Sequence, residues 1–76
     1  MTYASQDVLR VLLIAYPEPV HLVEISRDIN LGGMATRQAV ASLIGRLAAN
    51  PDMYIRIWKP DDEVDAWAIT VDRPKV

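Results

Sequence analysis

Five polar side chains between residues 36 and 46 are the best equipped in this sequence for hydrogen-bond recognition. Gln38 carries an amide that can donate and accept together, as an adenine edge requires. Arg37 and Arg46 carry guanidinium forks, which match a guanine edge or a phosphate. Thr36 and Ser42 carry hydroxyls that can donate to phosphate oxygens. Ala41 and Gly45 lie among them and would let a partner approach the backbone closely. If these residues share one helix face, that face suits the major groove of double-stranded DNA, which is wide enough to admit a helix. The plainer alternative is the solvated side of an amphipathic helix.

Other chemistries find less to work with. Asp61, Asp62, Glu63 and Asp65 could chelate a hard cation, but the glycine and distal glutamate of a calcium-binding loop are missing. A solvated hairpin tip is expected instead, with no metal. His21 is the single histidine and cysteine is absent, so neither a zinc site nor a histidine- or cysteine-based catalytic centre can be assembled. There is no phosphate loop, and no cofactor or enzymatic activity is expected. Of the two tryptophans, Trp67 is expected to fill the core and Trp58 to remain available for a contact.

The elements that must position these residues follow from periodicity. Ser5 can cap a first helix whose apolar positions Val8, Val11, Leu12 and Ala15 follow helical spacing. Leu9, Leu13, Ile14 and Tyr16 make this helix apolar nearly all round, and Pro17 and Pro19 end it. Val20-His21 is a short extended lead into a second helix with a stripe of Leu22, Ile25 and Ile29. Asn30 and Gly32-Gly33 stop that helix, being residue types that tolerate left-handed backbone. Thr36 is the expected N-cap of a third helix with a stripe of Val40, Leu43, Ile44 and Leu47, closed by Asn50-Pro51. Gln38, Ser42, Gly45 and Ala49 fall opposite the stripe, with Arg37 and Arg46 at its edges. Tyr54–Lys59 and Ala66–Val71 then alternate as strands around the acidic turn. Ile55, Ile57, Trp67 and Ile69 are the expected buried face, held against the helices because two strands alone are not stable.

The chain has 76 residues, enough for one small domain over 1–76, and 51% of them are hydrophobic. No disulfide can reinforce so small a core, so self-association is the remaining route to added stability. The net charge is −2, but it is unevenly spread. From Leu22 to Asn50, Arg27, Arg37 and Arg46 outnumber Glu24 and Asp28 by one. Both flanks are mildly acidic. Met1–Asp7 show no basic segment ahead of an apolar one, and the longest apolar run, Val11–Tyr16, is too short to span a bilayer. A cytoplasmic location is expected.

Three helices followed by a two-stranded β-hairpin form an α+β pattern that resembles the winged helix-turn-helix of small transcriptional regulators. The sharpest likeness is Thr36-Arg37-Gln38-Ala39-Val40 followed by Leu43, Ile44 and Leu47, similar to the recognition-helix start of ArsR- and MarR-type regulators. Trp67-Ala68-Ile69-Thr70 resembles their last wing strand. With Ser26 at the small-residue position of helix 2, the family spacing puts the next buried position near residue 36. Val40 lies four later, so the turn is expected to be longer than the family's. The resemblance implies a DNA-binding regulator of transcription, reading the major groove through Gln38, Ser42 and Arg46, with Thr36 and Arg37 on the backbone. One such helix makes few contacts, so a homodimer on two half-sites is expected, with the apolar surplus of the first helix, Leu9, Leu13 and Tyr16, as its interface. The acidic tip departs from the basic wings of such proteins and argues against minor-groove insertion. It leaves open a second expectation, a protein-interaction module whose acidic hairpin docks on a basic partner or imitates DNA.

Overall fold

A computed structural model describes residues 3–71. Three helices, α1 (Tyr3–Ala15), α2 (Leu22–Ile29) and α3 (Gly33–Ala48), pack on one face of a small antiparallel sheet. The sheet contains β1 (Val20–His21), β2 (Ile55–Trp58) and β3 (Ala66–Val71) in the order β1-β3-β2. The two-stranded hairpin expected from the sequence is therefore part of a three-stranded sheet. Val20 pairs with Trp67 and His21 with Ala66, so the lead into α2 is an edge strand. The ladder continues one residue further, where the Leu22 amide donates to the Asp65 carbonyl at 2.8 Å. Two residues are too few to show strand periodicity, which is why this pairing was invisible in the sequence.

The core follows the apolar stripes. Val8 and Leu12 of α1, Ile25 of α2, Val40, Leu43 and Leu47 of α3, and Trp67 and Ile69 of β3 form one buried cluster. Ile55 and Ile57 are half-buried against it, completing the sheet face expected to turn inward. Fully burying each large aliphatic contributes about 1.5–3 kcal/mol. The first stripe carries an unexpected member. Ser5 is inside α1, not at its cap, because the helix begins at Tyr3. It shares the inward face with Val8 and Leu12, is buried, and donates to the Ala39 carbonyl of α3 at 3.4 Å.

The join between α2 and α3 corrects the sequence reading more substantially. Asn30 adopts left-handed backbone at φ 57° and ψ 48°. Its amide donates to Arg27 at 3.3 Å and that of Leu31 to Ser26 at 3.1 Å, the paired bonds of a Schellman-type helix end. Gly32 is extended and caps α3, which starts at Gly33. The turn is thus only Asn30–Gly32, not the longer one expected, and residue 36 is the buried position. Thr36 sits one turn inside α3 with no exposure, and its hydroxyl donates to the Gly32 carbonyl at 2.9 Å. It is not the N-cap. The buried stripe of α3 becomes Thr36, Ala39, Val40, Leu43 and Leu47, while Ile44 turns partly outward.

Candidate functional site

The rotated stripe fixes what α3 shows to its surroundings. At about 100° per residue, Gly45, Gln38, Ala41 and Met34 lie farthest from the core. Arg37 and Ile44 border one edge of this face, and Ser42 and Arg46 the other. All of these side chains are exposed, and neither the sheet nor α1 covers the face. Met34 stands in the first turn of α3 and is among the most exposed apolar residues. A Cβ built on Gly45 would meet nothing within 4 Å, so the protein's own packing does not require glycine there. Beside Gln38 the face dips into a shallow hollow shared with Ala4, Ala35, Ala39 and Ser42.

Of the five residues expected to share this face, Gln38, Ser42 and Arg46 do so. Thr36 does not: its hydroxyl is enclosed in the core and already bonded to Gly32, so the phosphate contact expected of it is lost. Arg37 is exposed but engaged. Its two terminal nitrogens donate to the two carboxylate oxygens of Asp65, at 3.1 and 2.7 Å. Lys59 Nζ approaches the same carboxylate at 3.5 Å. The hydrogen bond from Arg37 is the main cause holding the Asp65 carboxyl down at about 2, and the same contact raises the Arg37 pKa. Asp65 is thus not one more solvated charge of the acidic tip. It is the anchor of a cation pair, and the 28-residue separation from Arg37 left no local signal for it.

The rest of the turn is ordered by its own groups. Asp61 accepts the Glu63 amide on its carboxylate at 2.9 Å and the Val64 amide on its carbonyl at 3.1 Å. Lys59 donates to the Asp62 carbonyl at 3.2 Å. Asp61, Asp62 and Glu63 remain exposed. Among the described residues, no group of three or more histidine, cysteine or acidic side chains is placed to hold a metal ion.

Trp58 lies half-exposed on the sheet face away from the helices, opposite Ala68, while Trp67 is buried. His21 occupies the N-cap position of α2 without a side-chain cap bond. On α1, Leu9 is half-buried against the core and not available as a whole to a partner, whereas Leu13, Ile14 and Tyr16 are exposed. No helix among the described residues is long and apolar enough to cross a membrane. Compared with protein-family models, curated proteins and solved structures, the chain matches none.

Proposed function

We propose that this protein is a winged helix-turn-helix DNA-binding domain, with α2 and α3 as the helix-turn-helix and the β2–β3 ribbon as the wing. The observation that carries the reading is the uncovered outer face of α3 behind a three-residue turn. A turn of three or four residues, often containing glycine, is the joint that this motif uses, and Asn30–Gly32 has that length and composition. On α3, Gln38 and Arg46 supply base-edge groups, Ser42 a side-chain hydroxyl for a phosphate oxygen, and Ala41 and Gly45 a low surface that brings the helix axis close. The function that follows is regulation of transcription in the cytoplasm, without catalysis.

One helix makes few contacts, so useful affinity calls for two copies on two half-sites. Leu13, Ile14 and Tyr16 form the apolar surface that a second copy would cover, with Leu9 supporting it from the core side. Selection of bound sequences from a random DNA pool, followed by titration of the enriched duplex with Arg46→Ala, tests the reading. Enrichment of a defined site and loss of affinity in the variant support it. Failure of the folded protein to retain any duplex at low salt overturns it.

A second reading has one observation in its favour. Asp61, Asp62 and Glu63 stand exposed at the tip while Asp65 engages both Arg37 and Lys59. Such a tip would suit a basic protein partner, or stand in for the charge of DNA. A partner captured by the wild type and lost when those three residues become serine, with no affinity for DNA, favours this reading over the first.

A further inference from the structure

We infer that Arg37 and Lys59 form a two-cation seat for a backbone phosphate, and that Asp65 fills this seat until a duplex displaces it. The inference rests on α3 being the duplex contact face and adds a site on its border. The two cations come from different elements, α3 and the segment just beyond β2, and converge on a single carboxylate. Arg37 uses both terminal nitrogens in the parallel fork that fits a carboxylate or a phosphate equally well. The Asp65 carboxylate therefore occupies the position that a phosphate's paired oxygens would take.

The seat can exchange its occupant. The side chains of Arg37 and Asp65 are 52% and 44% exposed, so water reaches both and the ion pair is of the weak, screened kind. Asp65 is also held by its backbone, through the carbonyl that accepts the Leu22 amide. The carboxylate can swing away without disturbing the sheet as a phosphate takes over both cations. An isolated acidic residue in the wing would only repel DNA. This one keeps two cations gathered at the edge of α3 and gives them up to a stronger anion.

The test uses the full chain and a mixed-sequence duplex of about two helical turns, titrated across a salt series. Asp65→Asn is expected to tighten binding about fivefold. Asp62→Asn removes the same charge from the tip without releasing Arg37 and should give a clearly smaller gain. In an Arg37→Ala background the Asp65→Asn gain should shrink to about that of Asp62→Asn. Arg37→Ala and Lys59→Ala should each reduce the salt slope by about 1.

Equal gains from Asp65→Asn and Asp62→Asn, or an Asp65→Asn gain that is undiminished in Arg37→Ala, would overturn the seat while leaving α3 as the contact face. If Asp65→Asn does not fold, the salt slopes of the two cation variants decide, and unchanged slopes overturn the proposal. A folded wild type that binds no duplex ends both readings together.

Discussion

Thr36 donates its hydroxyl proton to the carbonyl of Gly32, one helical turn earlier, and so satisfies its polar group while sitting fully buried on the inward side of α3. The Thr36 amide donates to the same carbonyl at 2.9 Å, so the carbonyl stays satisfied if the hydroxyl is removed. Thr36→Val should cost no more than about 1.5 kcal/mol in urea unfolding and leave DNA affinity unchanged. Thr36→Arg should unfold the domain, because an unpaired guanidinium cannot be buried at this site. A selective loss of affinity in Thr36→Val, at unchanged stability, would return Thr36 to the contact face.

Gly45 separates stability from binding. A glycine within a helix costs roughly 0.5–1 kcal/mol relative to alanine, and nothing in the fold crowds the added methyl. Gly45→Ala should therefore raise the unfolding midpoint while weakening DNA binding, since the methyl stands where the duplex must come close. A gain in stability with unchanged affinity would mean that the helix axis keeps its distance.

Asp65 gives the domain an acid-sensitive contact with a defined direction. Its carboxyl is held at about 2, below the ordinary value of 3.8. A carboxyl depressed in the folded state stabilises above its unfolded pKa, and that contribution is lost as pH falls through the folded one. Thermal melts of wild type and Asp65→Asn should differ most above about pH 4 and converge as pH falls towards 2. A constant difference across that window would show that the carboxylate does not grip Arg37 in solution.

Leu43 and Ile44 are neighbours that the sequence places together and the fold separates. Leu43 is fully buried and Ile44 is 37% exposed. Leu43→Ala should cost about 2–5 kcal/mol, enough to unfold much of a small domain. Ile44→Ala should cost well under half as much in the same denaturation series. Equal losses would place both in the core.

These two residues also mark how far periodicity can be read. The stripes of α1 and α2, the inward faces of Trp67 and Ile69, and the exposure of Trp58 all follow from spacing, because burial of apolar surface dominates where a segment is long and regular. The N-cap of α3 is Gly32, four residues before the Thr36 that the sequence suggests. Thr36 is a strong cap type, but Asn30 had already taken the left-handed turn, and burial of the Thr36 methyl outweighed its capping preference. The exposure of Gln38, Ser42 and Arg46 was legible because they lie outside a stripe that was mostly right. The Val20–Trp67 pairing and the Arg37–Asp65 fork join distant segments, and no local pattern encodes such contacts.

The central claim is that the outer face of α3 contacts duplex DNA, and fluorescence anisotropy of a labelled duplex from the random-pool selection tests it most directly. Wild type should bind with an affinity that falls steeply with salt. Gln38→Ala should lose discrimination at one base pair, worth about 1–3 kcal/mol, and Arg46→Ala should weaken binding, with both variants as stable as wild type. Binding indifferent to both substitutions, or no binding by the folded wild type at low salt, would contradict the claim.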